Sequence, residues 1–295
     1  MSTAARDKRR TARDKIAAQQ QAARRQQQRT RIIAAGGSIA AVLAIVMSLI
    51  LVKTLGSGTP ASTGTAGATA LPAGVTSVPG AVLNAAGTGT ATPHTVTPAT
   101  GRPLTAGGKP DILYVGAEYC PYCATERWPL AVALSRFGTF TGLRGIHSSA
   151  TDVYPSQPTI TFYKSSYTSK YLTFTPVETT TVNRKVPLQH LTPAEQTVLA
   201  RYDAPPYVPA TSAGAIPFID LGGRYLINGA QYNPQVLQGH TWAQVAAALH
   251  QPSSPIGQGA DGAANMITAA LCKLTGNQPA AVCTAPAITR IQAQR

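Results

Sequence analysis

Cys120-Pro121-Tyr122-Cys123 is where residue types and spacing point most directly to chemistry. Two thiols separated by two residues can close into a disulfide and reopen, so the pair can carry two electrons. The nucleophile in such exchange is a thiolate, and a free cysteine with a pKa of about 8.5 is mostly protonated at neutral pH. A helix N-terminus corrects this, because its unpaired N–H groups and dipole favour negative charge on Cys120. Pro121 suits the first helical turn, where no N–H is needed. Cys123 can then fold back onto a mixed disulfide held by Cys120. Two other readings attach to the same residues. Half of a zinc site would need two further ligands, but Cys272 and Cys283 lack ribbon-like spacing and the five histidines are scattered. A purely structural bridge at a strand–helix junction is the other.

Cys272 and Cys283 form the second pair, and an even count with local pairing suits an oxidising compartment. One reading is a structural disulfide closing the last helix onto the tail, a loop short enough to contribute roughly 2–3 kcal/mol. The other is an auxiliary pair relaying electrons to Cys120 and Cys123. Trp128 and Trp242 read most simply as core or rim residues. His147 and His240 are lone histidines, either of which could stand near the reactive pair.

The elements that must position these residues follow from patterning. Ile112-Leu113-Tyr114-Val115, ending at Gly116, has the form of a buried strand. Cys120 to Phe137 follows helical spacing, with Pro129 expected to kink it. Leu143 to His147 is expected as the next strand, completing a right-handed β–α–β unit. Residues 159–182 read as one or two strands or a long hairpin. Thr192-Pro193-Ala194-Glu195 is a capping box, which predicts a helix from Pro193 to Tyr202. Ile216 to Asp220, then Gly222-Gly223, then Arg224 to Ile227 reads as a hairpin with a tight glycine turn. Helices are expected over Thr241 to His250 and over 260–274. A short helix is expected after Pro79, and 88–109 reads as irregular.

The net charge of +14 over 295 residues invites a nucleic-acid reading, which its distribution removes. Residues 1–31 carry ten Lys/Arg against two Asp/Glu, and the remaining excess is spread thinly. A basic block beside an apolar run is a topology signal. Ile32 to Val52 contains no charge, and its 21 residues at about 1.5 Å each span about 30 Å, the thickness of a hydrocarbon core. The run is longer than the apolar region of a cleaved signal. The expected organisation is a basic cytoplasmic tail (1–31), a transmembrane helix (32–52), a flexible Gly/Ser/Thr/Pro linker (53–74) and an extracytoplasmic domain (75–295).

Asp111 to Cys123 resembles the active-site strand and loop of the thioredoxin-like superfamily. Ile216-Pro217 before a hairpin is similar to that superfamily's cis-proline loop. Gly116 to Cys123 with Glu126-Arg127-Trp128 further resembles a family of membrane-anchored proteins known as domain of unknown function 929, over about 75–295. The resemblance implies an α/β thioredoxin-like fold but no settled substrate; the cysteine motif and the outward topology make the expected activity thiol–disulfide exchange on exported cysteine-containing proteins, served by a further redox partner. Cys120 would attack, Cys123 would resolve, and Ile216 and Pro217 would form the substrate groove. Pro121-Tyr122, the dipeptide of glutaredoxins, implies by resemblance a potential near theirs, roughly between −200 and −230 mV. No cofactor and no metal is expected. The chain departs from the pattern in two places. Tyr114 stands where thioredoxins carry a buried aspartate, which leaves Glu118 and Glu126 as candidate proton acceptors for Cys123. The 97 residues from Cys120 to Pro217 call for an insertion at about 150–210, between the β–α–β unit and the cis-proline hairpin. The rival class is a non-catalytic thioredoxin-like scaffold at the outer face of the membrane.

The charge asymmetry around 32–52 makes a first prediction. Protease added to intact cells or spheroplasts should digest epitopes placed after Thr54 and spare the N-terminal tail. A protected C-terminus would overturn the outward-facing arrangement.

Overall fold

Strand β3 (Lys109–Gly116) organises the described residues, 74–93 and 95–294, of this computed structural model. Ile112 to Val115 are all buried. Alternation along the strand sends Ile112 and Tyr114 to one face and Leu113 and Val115 to the other. The first face packs into a core built with α2 (Pro121–Ser135) and α5 (Pro255–Leu274), together with Ile219, Leu221 and Ile227. The second packs with Val177, Phe218 and Leu226 under Tyr202 of α3 (Pro193–Tyr202). Cover on both faces explains why the run is continuously apolar. The architecture is mixed α/β.

β8 (Thr173–Glu178) pairs parallel with β3, setting Val177 opposite Val115. On the other side β9 (Phe218–Leu221) runs antiparallel, with Ile219 opposite Tyr114. β10 (Tyr225–Asn228) returns beside β9, and the short strands β1 (Thr97–Pro98) and β2 (Thr105–Ala106) extend β10 and β3. Between β9 and β10, Gly222 and Gly223 adopt φ of 65° and 68°, and the Arg224 N–H donates to the Leu221 carbonyl at 3.1 Å. Two successive left-handed residues demand glycine in so tight a turn.

The parallel partner of β3 is not the segment expected for it. Arg144, Gly145 and His147 are exposed, so Arg144–His147 suits a sheet with one wet face. It forms β5, antiparallel to β6 (Pro158–Thr161). A strand beside β3 needs apolar contact on both faces. β8 supplies it with Phe174 packed on the larger core and Val177 in the smaller. The extra structure is therefore divided differently from the expected insertion. β4 (Gly138–Thr141) pairs with β7 (Ser166–Ser169), and both, with β5 and β6, lie inside the crossover from α2 to β8. Residues 159–182 thus contribute three strands to three separate sheets.

Helix starts follow their caps. At α3 the Thr192 hydroxyl accepts the Glu195 N–H while the Glu195 carboxylate accepts the Thr192 N–H. Thr241 and Gln244 repeat this at α4 (Trp242–Ala248). α5 begins earlier than expected, because the Ser254 hydroxyl accepts the Gly257 N–H at 2.9 Å and Pro255 follows at the first position. α5 is buried around nearly its whole circumference. Gly262 is needed there, since a Cβ would lie 2.2 Å from the Thr88 carbonyl oxygen. The Asn265 amide donates to the Leu83 and Gly87 carbonyls, both at 2.7 Å, which fastens the end of α1 (Gly80–Ala86) to α5. Cys272 and Cys283 are joined in a disulfide with Cα atoms 5.5 Å apart. It links α5 to α6 (Ala280–Cys283), ahead of α7 (Pro286–Ala293). No helix among the described residues is long and apolar enough to cross a membrane. The 1–31 tail, the 32–52 span and the linker as far as residue 73 lie outside them.

Four buried carboxyl groups, Glu126, Asp203, Asp220 and Asp261, each have at least one oxygen without a hydrogen-bond partner among the described residues. Burial pushes Glu126 and Asp261 up to about 8 and Asp203 and Asp220 up to about 6, against ordinary values of 4.5 and 3.8. Folding therefore takes up protons through these groups. Their stabilisation is complete below about pH 4 and is lost as pH rises through about 6 and then about 8. The melting temperature should accordingly be higher near pH 5 than near pH 9, roughly spanning those folded-state values. Asp261→Asn should flatten the upper part of that slope. A melting temperature that rises across this range would show that the carboxyls are charged in the fold.

Candidate active site

Cys120 ends the turn after β3 and caps α2. Its φ of −74° and ψ of 123° are extended, as an N-cap requires, and its sulfur accepts the Cys123 N–H at 3.2 Å. Sulfur thus fills the place usually taken by a Ser or Asp oxygen, and Pro121 follows at the first helical position. Both cysteines are free thiols. Cys120 is 4% exposed and Cys123 not at all, whereas Tyr122 between them is 40% exposed.

The loop before β9 closes on this turn. The Ile216–Pro217 bond is cis, and the Cys120 thiol donates to the Ile216 carbonyl at 3.6 Å. Pro217 is anchored behind, its carbonyl accepting the Gly229 N–H at 2.8 Å. The Ile216 N–H makes no backbone hydrogen bond among the described residues. Ile216 and Pro217 are thus brought to the cysteine pair.

Beneath the thiols lies an ion pair. Arg127 follows Cys123 by one helical turn, on the same side of α2. Its Nε donates to Glu178 Oε1 and its Nη2 to Glu178 Oε2, both at 2.7 Å, with both side chains fully buried. Nη2 also donates to the Ala117 carbonyl at 2.8 Å. Nη1 has no partner among the described residues, and neither has the buried Tyr114 hydroxyl. That hydroxyl lies under Gly116, where a Cβ would come within 2.2 Å of it. The Arg127 guanidinium sits 5.9 Å from the centre of the Tyr114 ring.

This environment separates the two thiols. The hydrogen bond from the Cys123 thiol does most to hold Cys120 below its ordinary value. Burial opposes this, and the Cys123 N–H, the Arg127 charge and the Tyr122 N–H lower it further. Burial pushes Cys123 well up, reinforced by its hydrogen bond to Cys120 and by the Cys120 charge. Arg127 and the Ala117 N–H pull it back. Cys120 is thus the thiol that ionises first, and Cys123 keeps its proton.

The remaining candidates have other engagements. Glu118 accepts the Thr161 hydroxyl at 2.8 Å, and Glu126 accepts the Gln231 N–H at 2.9 Å. Trp128 is core, its indole donating to the Pro158 carbonyl at 3.1 Å. His147 packs on Trp242 at 4.3 Å between ring centres, and His240 is exposed. Among the described residues no group of three or more His, Cys, Asp or Glu side chains is placed to hold a metal ion. Arg127, Glu178 and Tyr114 were not selected as site residues from sequence. The available signals were the four-residue step from Cys123 to Arg127 and a lone charge closing the strand Thr-Phe-Thr-Pro-Val-Glu.

Arg127→Met would leave Glu178 buried and unpaired, at a cost of about 3–5 kcal/mol. It should also move the alkylation profile of Cys120 to higher pH. Arg127→Met with Glu178→Leu should recover most of that stability, since an apolar replacement of the whole pair is often neutral. The Cys120 profile should stay displaced in the double variant. A profile that returns with stability would show that Arg127 acts on the fold and not on the thiol.

No curated protein and no solved structure matches the chain. The family model described as Domain of unknown function (DUF929) matches residues 96–273. That stretch runs from just before β1 nearly to the end of α5, taking in β3, the cysteine motif, the Arg127–Glu178 pair and the Ile216–Pro217 loop. With more than half of its length so matched, the chain belongs to the DUF929 family.

Proposed function

We propose that this protein is a membrane-anchored thiol–disulfide oxidoreductase of the thioredoxin-like fold, acting on exported proteins outside the cytoplasm. One observation carries the reading. The Cys120 sulfur caps α2, accepts the Cys123 N–H at 3.2 Å and lies 3.6 Å from the Ile216 carbonyl. The groups proposed as nucleophile, resolving thiol and client-strand edge thereby meet at one point. The β–α–β unit and the proline hairpin share strand β3, which supports the thioredoxin-like assignment.

In the reducing direction the Cys120 thiolate attacks one sulfur of a client disulfide. A Cys120–client bond forms, the client disulfide breaks, and one client thiolate leaves. Cys123 gives up its proton and attacks the Cys120 sulfur, forming the Cys120–Cys123 disulfide and releasing the second client thiolate. Two electrons pass to the client, and its two thiolates take up protons from the Cys123 thiol and from solvent. The oxidising direction is the same sequence reversed. A separate redox partner must then restore the starting form of the pair. The client chain, held in extended form, would pair with the Ile216 N–H and C=O, which accommodates many sequences.

The burial of both cysteines favours a second reading, a scaffold with an inert pair. Alkylation separates the two, since a scaffold pair would resist iodoacetamide at neutral pH in the folded protein. Cys123→Ala should accumulate mixed disulfides identifiable by mass spectrometry, and Cys120→Ser should abolish both exchange and trapping. An untrapped Cys123→Ala protein with an unreactive Cys120 would establish the scaffold instead.

A further inference from the structure

Among the described residues the exposed large hydrophobic side chains are Tyr122 at 40%, Val153 at 68% and Val186 at 52%. They are not scattered. Tyr122 lies within the cysteine motif, and Tyr154, next to Val153, packs edge-on against it with ring centres 5.8 Å apart. Val186 closes a turn with Thr181, whose N–H donates to the Val186 carbonyl at 3.0 Å. In that turn Arg184 reaches across to pair with Asp152, and its guanidinium lies 4.1 Å from the centre of the Tyr119 ring. Arg184 holds φ of 62°, a backbone conformation that costs a non-glycine residue and that clusters at ligand clamps.

Both segments are tied to the turn that carries Cys120. The Ser149 N–H donates to the Tyr119 carbonyl at 2.9 Å, and the Glu118 N–H donates to the Thr180 carbonyl at 2.9 Å. The reactive cysteine therefore sits between two loops, each with an exposed valine, bridged over Tyr119 by one ion pair. The rim's charge is also defined. Arg184 takes the charge of Asp152, while the exposed Lys185 beside Val186 forms no ion pair among the described residues.

We propose that the 149–156 loop and the 181–186 turn form a docking rim for an extended polypeptide segment with apolar side chains beside its cysteine. The rim accepts an acidic neighbour and disfavours a basic one, because its unopposed charge is Lys185. It selects clients, while Cys120 and Cys123 carry the exchange, so the inference rests on the redox reading above. Isolated exposed apolar residues need no explanation, but these are carried on the cysteine motif and on two loops tied to its turn, the placement a binding surface requires.

The test uses the full-length protein in detergent, reduced, and short peptides whose single cysteine is disulfide-linked to a chromogenic thiol. The cysteine is flanked by Leu, by Asn or by Lys. The wild type should react about tenfold faster with the Leu peptide than with the Asn peptide, as expected when a few methyl groups are buried, and slowest with the Lys peptide. Val153→Asp with Val186→Asp should bring the Leu/Asn ratio to within about twofold, and the near-isosteric Val153→Thr with Val186→Thr should fall between. Equal rates for all peptides in the wild type, or a ratio untouched by the Asp pair, would overturn the rim and leave the redox reading standing. If even the free chromogenic disulfide fails to react, the redox reading falls. Fluorescence anisotropy with serine-for-cysteine peptides then decides the rim. Tighter binding of the Leu peptide, lost in the Asp pair, upholds it, and equal binding of the Leu and Asn peptides overturns it.

Discussion

The Arg127–Glu178 pair fastens three parts of the structure at one buried point. Glu178 ends β8, Arg127 lies inside α2, and Ala117, whose carbonyl takes the third Arg127 hydrogen bond, begins the turn to Cys120. The Phe162 N–H adds a longer contact to Glu178 Oε1 at 3.4 Å. Removing two charges from water is expensive, and a buried pair is stable only when its geometry is good and its remaining polar atoms are satisfied. Two bonds at 2.7 Å meet the first requirement. The second is met less fully, because Arg127 Nη1 has no partner among the described residues. The Arg127 charge acts on both thiols and on the Tyr114 hydroxyl, favouring the ionised form of each. A fold seeking stability alone would fill this position with apolar side chains. On the proposed function, the guanidinium helps to hold negative charge on the Cys120 sulfur.

The same preference for acids inside runs through the described residues. Asp111, Glu118, Glu126, Glu178, Asp203, Asp220 and Asp261 are buried, and the other two acids are Asp152, paired with Arg184, and Glu195, engaged in its capping box. The outer surface is consequently cationic with almost no free carboxylate. The sequence carries the count of charges but not which of them face water. A chain that reads as only mildly basic beyond its tail therefore has a more positive exterior than its net charge implies.

Legibility from sequence was governed by how local the responsible interaction is. The capping box at Thr192 and Glu195, the glycine turn at 222–223, and the strand–cysteine–helix junction at 111–123 are set by neighbours in the chain, and all three were readable. The partner of β3 was not, because the choice between 143–147 and 173–178 depends on what covers each face of a strand, which is a tertiary fact. Arg127 and Glu178 were missed for a related reason. They are 51 residues apart, and in sequence a charge is assumed to face water unless its partner is known. The proposed rim is not legible in the sequence, because Val153 and Val186 look like ordinary loop residues until Arg184 and Asp152 bring their loops together.

These placements separate reactivity from recognition. On the proposed function, thiol chemistry is set from below by Arg127, Glu178 and Tyr114, all in the packed layer between α2 and the sheet. Recognition is set from above by two loops, one within the crossover from α2 to β8 and one that follows β8. The two layers meet chiefly at the turn 117–120, through the Ala117, Tyr119 and Glu118 backbone groups, with the Tyr122–Tyr154 ring contact beside it. Backbone contacts are indifferent to side-chain identity. Loop residues such as Val153 and Val186 can therefore change without disturbing the ion pair, whereas substitutions beneath the thiols act on a layer with no room to adjust. On the proposed function, this division lets client selection depend on the loops while the exchange chemistry rests on the packed layer.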